Sequence, residues 1–335
     1  MQLPPDDVHH KARRSAKSAS RKPKVWYARH DRRFFIARHC AVLLFFGSAA
    51  NAIRAQELEP RAYSPNPIGT NFILTGASHS SGDVLFDPSS PLEDVSASIT
   101  AGVLGYGRIF GWFGRSASAA IAIPYVWGDV SGNVGENRRA VERAGIADTR
   151  LRLAVNLIGG EALTPRDFAR RKPQTSLGAS LVVVAPTGEY DSTKLVNIGA
   201  NRWAFKPEIG LSQPLDRWFF EAYAGIWFFT DNDSYYGGTR REQQTVTALQ
   251  AHVSYTFRPQ LWLAGDLTYY RGGETSIDGV SNANMQENLR MGVTMSVPLT
   301  GSQSLKFSWS DGTTTRIGGD FTTYALAWQY AWFDD

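Results

Sequence analysis

Asn288-Leu289-Arg290-Met291-Gly292-Val293-Thr294-Met295-Ser296-Val297 carries an apolar side chain at every odd position and Asn, Arg, Gly, Thr or Ser at every even one. A period of two sends the two sets to opposite faces of an extended strand. A soluble sandwich also alternates, but its polar face meets water and favours long charged side chains. Here the polar face is mostly small, which suits the crowded inside of a closed barrel, while a continuous apolar exterior suits lipid.

The pattern recurs along the chain. Leu151, Leu153, Val155 and Leu157 oppose Arg150, Arg152, Ala154 and Asn156, and Leu305, Phe307 and Trp309 oppose Lys306, Ser308 and Ser310. Tyr324, Leu326, Trp328, Tyr330 and Trp332 oppose Ala325, Ala327, Gln329 and Ala331, and Val95, Ala97, Ile99, Ala101 and Val103 oppose Ser96, Ser98, Thr100 and Gly102. About twelve such segments follow one another, near 69–78, 94–105, 116–126, 147–158, 174–185, 200–212, 217–229, 246–257, 261–271, 286–298, 303–311 and 321–333.

Their connections alternate in length. Residues 213–216, 258–260 and 299–302 are tight turns, whereas 186–199, 230–245 and 272–285 are long, polar and rich in Gly, Asp and Asn. Short periplasmic turns, long external loops and an even strand count describe a transmembrane antiparallel β-barrel with both termini periplasmic. Two features break the pattern: Pro165-Arg166-Asp167-Phe168-Ala169-Arg170-Arg171 suggests one helical turn where a tight turn is expected, and Pro207 predicts a bulge inside its strand.

Charge is distributed unevenly. The first 55 residues hold twelve Lys/Arg and three Asp/Glu, a net of +9, which leaves 56–335 at −5 and removes the nucleic-acid reading that +4 overall invites. Arg29, Arg32, Arg33 and Arg38 precede the apolar run from Cys40 to Phe46, and Ala50-Asn51-Ala52 follows, the order of a cleaved secretory signal. Cleavage after Ala52 or Ala55 leaves a mature chain without cysteine, because Cys40 lies in the leader. The expected organisation is a leader over 1–55 and an outer-membrane barrel over 56–335. A mean hydropathy of -0.27 excludes only a helical membrane bundle.

A Lys or Arg at the lipid midplane costs about 2–4 kcal/mol, so charges report which face of each strand points inward. Placing Glu221 and Asp266 inside carries Phe219, Tyr223 and Trp227, and Trp262 with Tyr270, in with them. The expected lumen lining is therefore Arg150, Arg152, Arg202, Lys206, Glu208, Phe219, Glu221, Tyr223, Trp227, His252, Trp262, Asp266, Arg290 and Lys306. Such a surface can stack an aromatic ring and attract a phenolate or carboxylate. Equally, these side chains can fill a narrow barrel and neutralise one another.

Catalysis has little to rest on. His252 and Ser254 share one inward face, away from the phospholipid an outer-membrane lipase must reach, and no Gly-rich phosphate loop or metal-spaced His/Cys cluster is present. No cofactor is implied. The Gly237-Gly238 and Gly272-Gly273 pairs read as strand-end turns.

Asn201-Arg202-Trp203-Ala204-Phe205-Lys206-Pro207-Glu208, Tyr223-Ala224-Gly225-Ile226-Trp227-Phe228-Phe229-Thr230 and Gln250-Ala251-His252-Val253-Ser254-Tyr255-Thr256-Phe257 resemble an outer-membrane transporter family named after the meta-pathway of phenol degradation. The likeness runs from about Arg61 to Phe333. It implies a barrel associated with uptake of aromatic compounds in the outer membrane of a Gram-negative bacterium. Barrels of this type end on an outward aromatic read by the assembly machinery; here Asp334-Asp335 follow Trp332-Phe333. The expected function is diffusion of small aromatic or anionic solutes through a selective lumen. The alternative is a non-conducting barrel that binds a partner or strengthens the envelope.

Overall fold

The computed structural model describes residues 58–86, 92–134 and 137–334; the leader lies outside them. The chain forms β1 (Thr70–Leu85), β2 (Leu92–Trp112), β3 (Arg115–Val134), β4 (Asn137–Ile146), β5 (Thr149–Ile158), β6 (Ser176–Ala185), β7 (Ala204–Leu215), β8 (Trp218–Phe229), β9 (Asn232–Tyr235) and β10 (Thr239–Gln243). It continues with β11 (Val246–Arg258), β12 (Leu261–Gly272), β13 (Thr275–Ile277), β14 (Val280–Ser281), β15 (Gln286–Pro298), β16 (Gln303–Thr315) and β17 (Gly318–Phe333). Strands β4 and β5 lie end to end along β3, so they make one wall strand. The wall then has twelve antiparallel strands, closed by β1 pairing with β17 and β2 with β3.

Closure leaves the lipid-facing wall without a free sheet edge, which hydrocarbon demands because it offers no hydrogen-bond partners. Leu153, Leu211, Leu249, Leu267, Met291, Phe307 and Leu326 look outward and are exposed. Trp112, Trp218, Phe257 and Phe333 ring one end of this apolar band, and Trp127, Trp203, Phe228 and Tyr324 the other. Trp218 and Phe228 bound one strand. At about 3.4 Å per residue and a tilt near 40°, the two girdles stand about 25 Å apart, the height of a lipid-facing band.

Thr70 and Phe333 meet across the closure at the end that carries the tight turns. The irregular turn after β5 contains a short helix α1 (Pro165–Phe168), with Thr164 accepting from the Asp167 N–H as its cap. At the other end the wall rises further than the alternation alone predicts, as the β3–β4 hairpin pairs continuously to Val134↔Asn137. The long connections 230–245 and 272–285 fold into a small sheet of β9, β10, β13 and β14.

Two expectations are corrected. Pro207 marks no bulge: β7 pairs with β8 in one register on both sides of it, through Phe205↔Phe228 and Glu208↔Gly225, and only rungs are missing. Proline removed the donor without inserting a residue. The greasy face of 94–105 turns inward, the reverse of its neighbours. Val95, Ala97 and Ile99 are buried with Val126, Val130 and Phe321, and Leu195, Val196 and Ile198 from the connection after β6 pack on them. That connection dips into the barrel mouth, and an apolar face beneath it is covered from inside rather than by lipid.

Candidate channel lumen

All fourteen residues expected to line the lumen lie on its inner side. Arg150 and Arg152 project from β5, their partners Val184 and Val182 being buried inside. Lys206 and Glu208 project from β7, Phe219, Glu221, Tyr223 and Trp227 from β8, and His252 from β11. Trp262 and Asp266 come from β12, Arg290 from β15, and Lys306 from β16 opposite the buried Ser296. Arg202 enters just before β7.

The inner surface is a set of paired groups. Lys206 Nζ stands 2.9 Å from Glu208 Oε2, to which Gln250 Nε2 also donates at 3.2 Å. His252 Nδ1 faces Asp266 Oδ1 at 2.7 Å, while Thr294 donates to Asp266 Oδ2 at 2.6 Å. Nearer the end that carries the long connections, Arg290 donates to the Phe321 carbonyl, and Arg202 lies over the Phe229 ring and binds Gln243. Lys206 lies over Trp227 and Lys306 over Trp262. Ser254 does not meet His252: its Oγ accepts from Arg61.

The chain itself occupies the lumen at the tight-turn end. Residues 58–69 precede the first strand and run inside the wall. Two tight turns, Ala62 N–H to the Glu59 carbonyl and Ser64 N–H to the Arg61 carbonyl, curl the segment, and Ile68 N–H and Leu163 O tie it to the rim. The Arg61 N–H donates to Glu221 Oε2 at 2.8 Å, and its guanidinium donates to Ser254 and, at 2.6 Å, to Thr256. That guanidinium is also sandwiched between Phe219 and Trp262, 4.3 and 4.8 Å from the ring centres. Tyr63 is 2% exposed, and its hydroxyl donates to Glu208 Oε1 at 2.9 Å and meets Ser180 Oγ at 2.8 Å. Glu59 lies 3.9 Å from Arg152, with Lys206, Lys306 and His252 also within electrostatic reach.

Periodicity could not have found this plug, since Pro60, Pro65 and Pro67 preclude a strand and leave no alternation. The available signal was a Pro-rich stretch with a charge pair and a tyrosine placed just before the first strand. Gln250, Ser180 and Thr294 were missed for a different reason: neutral polar residues do not report a face as charges do.

The family described as the MetA-pathway of phenol degradation matches residues 76–326. Among solved structures, an outer-membrane channel from Pseudomonas putida F1 is similar at 22% identity and a TM-score of 0.70, covering 82% of this chain and 100% of that one. The transport unit of the autotransporter AIDA-I from Escherichia coli aligns at 9% identity and a TM-score of 0.48, covering 87% and 98% of the two chains. The KdgM porin in complex with disordered oligogalacturonate aligns at 10% identity and 0.43, covering 77% and 98%. The likeness to the first is one of fold. No curated protein matches the chain.

Proposed function

Since the chain belongs to the family of the MetA-pathway of phenol degradation, we propose that it is an outer-membrane channel for small solutes, aromatic or anionic, closed at rest by its own residues 58–69. The observation that carries this reading is the chemistry of the interior. A barrel that only strengthened the envelope could be filled with apolar packing, whereas the wall of this one pairs Lys206 with Glu208 and His252 with Asp266, and its Glu221 accepts the backbone N–H of Arg61 from a plug that is not part of the wall.

Every contact of Glu59, Arg61 and Tyr63 named above is non-covalent and exchangeable with solute or water. Removal of the plug exposes cationic Arg152, acidic Glu221 and the rings of Phe219 and Trp262 on one path with Lys306, which is already exposed. In this reading the leader over 1–55 directs export, and the outward Phe333, followed by Asp334 and Asp335, engages the assembly machinery.

Single-channel recording in planar bilayers tests the proposal, comparing the mature chain with a variant lacking residues 58–66. The deletion is expected to raise conductance severalfold, with permeation of phenols and benzoates favoured over sugars. A deletion variant that shows heat-modifiable barrel migration yet conducts no better than the intact chain points to the non-conducting barrel instead.

A further inference from the structure

We propose that Tyr63 is an internal ligand: its side chain occupies a phenol-binding socket built into the barrel wall, and a phenolic solute opens the lumen by taking its place. This rests on the channel reading above and assigns its regulation and its solute class.

The socket belongs to the wall. Asn156 of β5, Gly178 of β6, Gly210 of β7 and Tyr223 of β8 are successive cross-strand partners at one level. Their inward faces form a row of polar, bare, bare and aromatic. The two glycines leave a recess one ring wide, and the Tyr63 ring lies in it so closely that a Cβ on either glycine would overlap its carbons. Tyr223 closes the edge, with ring centres 4.9 Å apart at 77°, and Arg152 lies 5.3 Å above the ring.

At the next level along the strands, Ser180 and Glu208 are partners of one another, and both meet the Tyr63 hydroxyl. Only the backbone of Tyr63 is held separately, by Asn156 Nδ2 and Ser176 Oγ on its carbonyl. Everything that grips the side chain therefore grips a para-alkylphenol. A free phenol can make the same donation to Glu208, the same contact with Ser180 and the same edge contact with Tyr223.

Glu208 also sets the protonation state it accepts. A carboxylate already paired with Lys206 accepts a hydrogen bond from a hydroxyl, and a solute carrying its own carboxylate or phenolate at that point would face like charge. The socket selects the un-ionised phenol over the benzoate. The anionic half of the broader expectation is left to Arg152 and Lys306, which the plug engages through Glu59.

Competition gives a measurable sign. A plug that fills the socket more than nine-tenths of the time weakens apparent affinity for a competing ligand by about tenfold or more. Calorimetry with 4-methylphenol on the mature protein in detergent is therefore expected to give at least about tenfold tighter binding to Tyr63→Ala than to wild type. In Tyr63→Ala, toluene and benzoate should bind more weakly than 4-methylphenol, and adding Gly178→Val should abolish binding. Heat-modifiable migration confirms folding of each variant, and Tyr63→Phe, which keeps the ring and removes the hydroxyl, gives an intermediate gain. Equal affinity in wild type and Tyr63→Ala, no binding to Tyr63→Ala, or toluene binding as well as 4-methylphenol overturns the assignment. Binding in detergent does not depend on conduction, so an absence of conductance in bilayers counts against the channel reading separately.

Discussion

Arg61→Ala should unseat the plug by an amount that the structure allows to be worked out. The guanidinium makes hydrogen bonds to Ser254 and Thr256 and two ring contacts, to Phe219 and Trp262. Two cation–π contacts at a partly solvated site contribute about 0.5 kcal/mol each, and the hydrogen bonds from the charged donor to two hydroxyls add about 1.5 kcal/mol each, the low ends of the usual ranges. Against a gross gain of about 4 kcal/mol stands about 2 kcal/mol of rotamer entropy that the released arginine recovers. The net of about 2 kcal/mol corresponds to about 30-fold in the ratio of seated to released plug. The substitution is clean in one respect: Arg61 has a φ of 67°, and alanine pays the same left-handed penalty, so backbone strain cancels in the comparison. The Arg61 N–H to Glu221 bond also survives, which keeps the loss to the side chain. Dwell-time analysis of single channels should show the open-to-closed ratio rising about 30-fold, with Arg139→Ala, on the exposed β3–β4 hairpin, as the unaffected control. A ratio within about threefold of wild type, in a folded barrel, refutes the account of what holds the plug, since threefold is only about 0.7 kcal/mol.

Gly178→Ala and Gly210→Ala each put a methyl group into the Tyr63 ring and should shift gating in the same direction as Arg61→Ala, whereas Gly265→Ala, where nothing lies near the added carbon, should not; equal effects of all three in dwell times count against the socket. Trp227→Ala and Arg202→Ala should change the permeability ratio of phenol to benzoate in liposome-swelling assays while leaving assembly intact, and unchanged permeation returns both residues to packing. In the connection after β6, hydrogen bonds from the Thr193 hydroxyl and N–H, with Lys194 beside them, hold the Asp191 carboxyl down at about 2. Because its folded value is depressed, the support it lends this turn is present above the ordinary carboxylate range and is lost as pH falls through about 2; carbon NMR of the labelled carboxyl should titrate there, and a midpoint at the ordinary 3.8 sinks the assignment.

Strand number, the alternation of tight and long connections, and the inward side of the charged strands could be read from sequence because each follows from a local rule. A period of two fixes faces, and an ion such as Asp266 or Arg290 in an otherwise apolar or small-residue strand fixes which face avoids lipid. The rule failed at Val95, Ala97 and Ile99, where no charge marks the inner face and the decisive neighbours, Val196 and Ile198, lie about a hundred residues away in a loop with no periodicity of its own. The plug escaped for the same physical reason. Tyr63 and Arg61 contact β6, β7, β8, β11 and β12, all distant in sequence, and nothing in Pro60-Arg61-Ala62-Tyr63-Ser64-Pro65 encodes that destination locally. The socket was half visible: Glu208 and Tyr223 were expected inside by parity, but a Gly178–Gly210 pair becomes a recess only when β6 and β7 come into register.

Lys206 and Glu208 bear on why the interior takes this form at all. Both are nearly inaccessible while the plug is seated, and a buried ion pair is at best weakly stabilising, since well-packed apolar residues of similar volume do as well or better. Stability alone gives no reason to keep a lysine there, nor to leave bare glycines beside it where a larger side chain would fill the wall. The cost falls once the plug withdraws, because water then enters and solvates the pair. With the plug seated, Tyr63 supplies one of the hydrogen bonds that water would otherwise make to Glu208. A lumen lined this way is suited to alternating between a chain-filled and a solvent-filled state, and Tyr63 lies where the two states exchange the same hydrogen-bond acceptor.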